Sequence, residues 1–479
     1  MPAHCSNCGF ENPTDFAFCG RCGTRLADPP AGATADEKQA TISRLKEAGD
    51  LAKQHADLAS ALAKYHEALS LLDSTLMKSD ATLHVQFVKQ RFDILAERYP
   101  LWASAGQPDR VEPDLQEMLV LARRSGDGAR LSKSMTWLAR FYLTQGRHEP
   151  ARPLLEETVS LLRSQGDRPG EARAQTELAK VNWRMGKFDS VANSLQRAHE
   201  LCRGLGEPAG LARSYFDLGL LYRDGLSQPY HAANHFEKAL EYARLAGDHQ
   251  LETRALIATG MSWTRLGDYV HARAALDQAE HTIDRTRSTD VLVWLTVALA
   301  DVARETRAAE APDLAARAVA LAAEQRFPDL EWCALTSQTQ IAQAMHHWHD
   351  TPALLRRMAE IESSGVLHAY CAIWRNTLLA RAQLHLDDAD AARDASARAV
   401  SALEKHGLAG VPVPQAILWT RFEVASRSRD PSAIHYLRQA REAMLSQANT
   451  IGDSGLRSHF LRDVTIHRAI GDDWAKVHA

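Results

Sequence analysis

The sequence predicts an all-α fold, a solenoid of about ten helix pairs, preceded by a very small four-cysteine metal module. Three observations predict it. Glycine followed by an acidic residue recurs at Gly126-Asp127, Gly166-Asp167, Gly206-Glu207 and Gly247-Asp248, at spacings of 40, 40 and 41 residues. Between these breakers the apolar residues keep helical spacing. Four of the seven cysteines crowd into residues 5–22.

Composition sets the outer bounds. With 479 residues, 45% hydrophobic and 24% charged, the chain has a globular composition and the length for a long array. A net charge of -4 gives no overall attraction for nucleic acid or a membrane surface. The longest apolar run, Val291 to Ala300, is too short to span a bilayer. The first residues lack a charged-then-apolar leader pattern, so the expectation is a cytoplasmic protein with no membrane partner. Cys202, Cys333 and Cys371 stand alone in helical sequence and read as buried apolar residues.

Residues 1–26 come first. Cys5 and Cys8 are separated by two residues, as are Cys19 and Cys22, and Gly9 and Gly23 follow each pair. Two such turns facing each other make a tetrahedral thiolate site, the geometry favoured by structural Zn2+. Four thiolates close the coordination sphere, so the ion is expected to be structural rather than catalytic. Two disulfides are the alternative, disfavoured by the missing leader. Asn12-Pro13 reads as a turn and Phe16-Ala17-Phe18 as a strand. With so few apolar residues, the folding energy of the module must come largely from the ion, roughly 10–16 kcal/mol in comparable modules. This stretch resembles the short zinc ribbons at the N-termini of many bacterial multidomain signalling proteins. Arg21 and Arg25 face Glu11 and Asp15 in the charge balance, which disfavours nucleic-acid binding and leaves protein contact as the expected use.

Residues 27–36, ADPPAGATAD, are small and Pro-containing and read as a flexible linker. From residue 37 to 450 the repeat dominates. A second glycine set, Gly106, Gly146, Gly186 and Gly267, falls between the first, with Asp224-Gly225 in the missing slot. Each period thus holds two helices. Leu138, Phe141 and Tyr142 before Gly146, then Leu154, Leu155, Val159 and Leu162 before Gly166, show the spacing. No single pair could bury its apolar face alone, so the units must stack.

The pattern resembles the tetratricopeptide repeat (TPR), with lengthened helices. Its first-helix signature appears as Leu138, Ala139, Tyr142 and Gly146, and again as Thr259, Gly260, Trp263 and Gly267; its second helix as Tyr269, Ala272, Leu276 and Ala279. Ala48-Gly49, Ala61, Tyr65 and Ala68 fit the first unit. The resemblance implies a right-handed superhelix whose first helices line a concave groove. Fainter breaks continue near Ser288, Phe327-Pro328, Ser364-Gly365, His406-Gly407 and Ile451-Gly452-Asp453. Residues 451–479 read as a capping helix and tail. That segment is similar to the end of bacterial regulators combining a zinc ribbon, a nucleotide cyclase, an NTPase and such repeats; their catalytic middle has no counterpart here.

Signs of catalysis are few. Gly186-Lys187 is followed by Phe188 and preceded by Val181 where a phosphate-binding loop needs Gly, so no such loop is present. Gly452-Asp453-Ser454-Gly455 superficially matches a serine-nucleophile turn, but Asp453 or Ser454 is better read as a helix N-cap. His346, His347 and His349 could gather a metal, yet sit on an inter-helix turn without a carboxylate and read as surface or packing residues.

For binding, the resemblance places Lys133, Arg173, Arg213 and Arg254 on the inner side of successive first helices, with Arg140, Lys180, Arg184 and Arg223 further along that face. Stacked, they would form a basic stripe suited to an acidic protein or peptide, with Trp183 and Phe216 as apolar anchor sites. The alternative is that each cation pairs with a neighbouring acid and only stabilises the stack. The expectation is a non-enzymatic interaction scaffold or, alternatively, a regulatory or sensor subunit whose enzymatic activity lies in a partner.

Overall fold

The computed structural model describes residues 3–4, 10–12, 35–76, 81–283, 288–324, 327–363, 369–407 and 410–478. Cys5, Cys8, Cys19 and Cys22, the Phe16–Phe18 segment and the Ser364-Gly365 break lie outside the described residues. Within the ribbon, Ala3–His4 pairs antiparallel with Glu11–Asn12, in the register Ala3 to Asn12 and His4 to Glu11. Asn12, read from sequence as part of a turn, is therefore in a strand.

The chain divides into two compact units, residues 1–143 with 149–165, and residues 144–148 with 166–479. The first unit holds α1 (Ala35–Gln54), α2 (Leu58–Leu76), α3 (Ala81–Ser104), α4 (Pro108–Ser125), α5 (Gly128–Thr144) and α6 (His148–Ser164). The second runs from α7 (Arg168–Arg184) and α8 (Phe188–Leu205) through α9 (Pro208–Leu220), α10 (Pro229–Ala246), α11 (His249–Leu266), α12 (Tyr269–Thr282), α13 (Thr289–Thr306) and α14 (Ala311–Glu324). It continues with α15 (Pro328–Ala344), α16 (Thr351–Ser363), α17 (Ala369–His385), α18 (Ala389–His406), α19 (Pro414–Arg427), α20 (Ala433–Asn449), α21 (Ser454–Arg462) and α22 (Thr465–His478). Up to α20 the described helices make the expected succession of pairs. Two boundaries differ from the sequence reading: α1 begins at Ala35, inside the assigned linker, and the C-terminal segment forms two helices rather than one.

The glycine-acid dipeptide works as a stop followed by a start. Gly247 ends α10 with a left-handed φ of 67°, and Asp248 then caps α11 by accepting a hydrogen bond from the Leu251 N–H at 2.9 Å. Gly166 and Asp167 repeat this at α7, where Asp167 accepts from Gly170 N–H at 2.8 Å. At the Asp224-Gly225 break, α9 instead runs into a π-helical turn, Leu221–Gly225.

In three of the pairs, a small residue on the first helix admits a large one from the second. A Cβ on Gly219 would lie 2.5 Å from the Phe236 ring, one on Gly260 2.7 Å from Leu276, and one on Gly49 2.6 Å from Tyr65. Phe236, Leu276 and Tyr65 are fully buried as a result. In the second unit the first helices also stack on one another, α11 on α13, α13 on α15, α15 on α17 and α17 on α19. That continuous inner row positions the site.

Candidate functional site

The inner row of the second unit lines a cavity of about 580 Å³. Its wall carries Trp183 from α7, Trp294 from α13, Trp332 from α15, Tyr370 and Trp374 from α17 and Trp419 from α19. Residues distant in sequence close it. Gly410 N–H donates to the Gly225 carbonyl at 2.6 Å, and the Ser227 hydroxyl donates to the Val411 carbonyl. From the C-terminus, Phe460 and residues 464–467 complete the wall. They are held there by Tyr269, whose hydroxyl donates to the Asp463 carbonyl at 3.0 Å, and by the Thr465 N–H, which donates to Glu305 at 3.2 Å.

Charges line the cavity as matched pairs. Arg223 makes two hydrogen bonds to Asp224, at 3.0 and 2.7 Å, and Arg265 adds a third at 3.1 Å while also donating to the Arg223 carbonyl. Burial works to raise the Asp224 pKa, but Arg223 and Arg265 outweigh it and hold the carboxyl below its ordinary range. Arg184 on α7 bonds Asp329 on α15 at 3.0 Å, and Arg304 bonds Glu305 at 2.7 Å. Burial raises the Asp301 pKa, and its carboxylate accepts from Ser337 at 2.7 Å.

Of the expected groove residues, Trp183, Arg184 and Arg223 line this cavity. Arg223 lies within the wall, its side chain 5% exposed. Trp183 packs edge-on against Phe188 at 5.3 Å, and Phe216 packs against Phe236 at 5.4 Å. Arg254 pairs with Asp290 at 2.6 Å and Lys180 with Glu177 at 3.0 Å. Arg173 and Arg213 are exposed and form no ion pair among the described residues. Lys133 and Arg140 belong to the first unit, where Lys133 sits 4.5 Å above the Trp137 ring.

Sequence reasoning missed the cavity's far side. Asp224, Arg265, Asp301, Arg304, Glu305 and Asp329 are charges inside helical sequence, and only the curl of the second unit turns them towards one space. Cys202, Cys333 and Cys371 are partly buried; Cys333 and Cys371 pack against the core and also line the cavity. Burial, helped by Asp329 and Asp224, pushes the Cys333 thiol up to about 12, and burial raises Cys371 as well, so both are held as thiols. His346 packs edge-on against Trp348 at 6.0 Å, and Trp348 stacks on His385 at 3.9 Å. Among the described residues no cluster of His, Cys, Asp or Glu is arranged to hold a metal ion. No described helix is long and apolar enough to cross a membrane. Asp453 is the N-cap of α21, accepting from Leu456 N–H at 2.7 Å.

Comparison with known proteins agrees with this architecture. The chain carries a tetratricopeptide repeat, residues 130–204 matching that family's model, and a zinc-ribbon domain, matched over residues 4–26. A Rap protein solved in complex with Competence and Sporulation Factor aligns with 69% of this chain and 99% of its own, at 12% identity and a TM-score of 0.50. The apo quorum sensor NprR from B. thuringiensis aligns over 68% of this chain and 99% of its own, at 13% identity and TM-score 0.47. A signal transduction ATPase with numerous domains and a tetratricopeptide repeat sensor, from Pyrococcus horikoshii, aligns over 70% of this chain but 54% of its own, at 16% identity and TM-score 0.40. At such identities the likeness is one of fold. No curated protein matches the chain.

Proposed function

We propose that this chain is a non-enzymatic regulatory or sensor protein whose second unit takes a ligand or a short segment of a partner into its inner cavity, any enzymatic activity lying in that partner. The cavity carries the reading. Its 580 Å³ falls in the range of small-ligand sites, and its aromatic walls with a few placed charges are the usual composition of one. The fold shared with a Rap protein solved in complex with Competence and Sporulation Factor supports a role in binding a ligand or partner. The zinc ribbon is an accessory contact module. Cys5, Cys8, Cys19 and Cys22 suit a closed thiolate site for structural Zn2+, and the zinc-ribbon match supports that assignment.

A second reading, a scaffold gripping an acidic protein, is favoured by Arg173 and Arg213, which are exposed and unpaired among the described residues. One experiment separates the two. Tagged full-length protein is recovered from its native cells, and its bound proteins, peptides and small molecules are identified by mass spectrometry. Gln340→Trp fills the cavity; Arg173→Glu, Arg213→Glu and Arg254→Glu together reverse the stripe. The sensor reading expects Gln340→Trp to lose a bound species that the triple variant keeps. An unchanged profile for Gln340→Trp would remove the cavity from the function.

A further inference from the structure

Two buried side chains in the cavity wall carry hydrogen-bonding groups with no partner among the described residues. Gln415 on α19 is 1% exposed and Gln447 on α20 is 8% exposed. Gln415 Nε2 donates to Gln447 Oε1 at 3.0 Å and, with its other hydrogen, to His467 Nε2 at 2.7 Å. The direction of these bonds is fixed from one end. His467 Nδ1 lies 2.7 Å from the Phe460 carbonyl oxygen, which can only accept, so Nδ1 carries the proton and Nε2 presents its lone pair. Burial keeps the ring neutral, with its pKa lowered to about 4. Gln415 must therefore turn its NH2 to His467, and Gln447 must turn its oxygen to Gln415.

What remains is Gln415 Oε1, an acceptor, and Gln447 Nε2, a donor, on two carboxamides already joined to each other. Neither has a hydrogen-bond partner among the described residues. Buried polar atoms are nearly always satisfied, and leaving two unmade beside a cavity is costly where leucines would fill the same space. Resting on the cavity reading above, we propose that Gln415 and Gln447 recognise an amide edge of the ligand, an N–H beside a C=O, with His467 as the positioning residue that sets their orientation. The N–H would be donated to Gln415 Oε1, and the C=O would accept from Gln447 Nε2. Two sources present that edge: one residue of an extended peptide backbone, whose own N–H and C=O point the same way, and a primary carboxamide.

Three probes test it by saturation-transfer NMR titration against the full chain. They are N-acetyl-leucine methylamide, its analogue with an ester oxygen in place of the leucine N–H, and 4-methylpentanamide. The proposal expects the first to bind about tenfold tighter than its ester, the loss expected when a buried acceptor is left unpaired. The Gln415→Leu, Gln447→Leu double variant should bring that ratio close to one, and His467→Phe should lower it without abolishing binding. Should the double variant lose its helical signal, Gln447→Leu alone, at the less buried position, serves the same comparison. Tight binding of the carboxamide alone would assign the edge to a side chain or amidated end rather than a backbone. Equal binding of amide and ester to the wild-type chain would overturn amide recognition while leaving the cavity reading intact. No binding by any probe would also overturn it, and the cavity would then stand or fall on the native-cell experiment.

Discussion

Gly410 and Gly225, 185 positions apart in sequence, are joined by a backbone hydrogen bond of 2.6 Å that closes the second unit around its cavity. Gly410 holds a left-handed φ of 81°, and a Cβ there would fall 2.2 Å from the Phe188 ring. Gly410→Ala should therefore destabilise the protein by about 1–2 kcal/mol through its backbone and about 1–3 kcal/mol through overpacking. Urea unfolding followed by circular dichroism measures it. A loss below the backbone figure would mean that this closure is loose.

Two of the cavity's arginine pairs should behave differently. Arg223 is almost wholly buried against Asp224, so Arg223→Ala strands a carboxylate with Arg265 alone and should cost about 3 kcal/mol. The side chains of Arg184 and Asp329 are 32% and 46% exposed, so Arg184→Ala should cost less than about 1 kcal/mol. Equal losses in the two variants would contradict the burial of Arg223.

The contribution of Glu423 to stability should fall as pH rises. Burial pushes its carboxyl from 4.5 up to about 7, only partly offset by Arg381 at 3.6 Å. Between those values the folded state binds more protons than the unfolded state, so raising the pH weakens folding until the shift is complete near pH 7. Glu423→Gln removes that slope. His467 acts in the opposite sense: with a folded pKa near 4 against 6.5, it costs stability as pH falls through the same interval. Thermal melts of wild type and Glu423→Gln from pH 4.5 to 7.5 should diverge progressively, and parallel curves would refute the shift.

The zinc assignment predicts stoichiometric metal in the purified chain, released by a chelator together with a thiol-reactive reagent. Cys8→Ser should abolish retention, since a three-thiolate site loses closure. The helical circular dichroism signal should hardly change, because the ribbon is read as tethered to the array rather than part of its core. Retention of full metal by Cys8→Ser would exclude the four-cysteine site.

Close packing within a pair gives a further check. Gly260→Ala places a methyl against Leu276 and 3.2 Å from the Ala272 carbonyl oxygen, and should cost about 1–3 kcal/mol despite the better helix propensity of alanine. Pairing it with Leu276→Ala, which vacates the space, should recover part of that loss in a double-mutant cycle. Strict additivity would show that the two do not touch.

By itself the sequence determined the helices, their pairing and the four-thiolate ribbon motif, because these are written in local terms. A glycine with a left-handed φ stops one helix, the next aspartate caps another, and a small residue such as Gly260 marks where a partner like Leu276 packs. Such signals act over a few residues or one helical turn and survive reading without coordinates. The cavity is of another kind. Arg184 meets Asp329 and Gly410 meets Gly225 only because small rotations between successive pairs accumulate, and no single pair encodes their sum. For that reason the inner charges looked like a surface stripe when read from sequence. Tertiary structure alone decided that Arg184 and Arg223 face an aromatic cavity completed by the C-terminal helices.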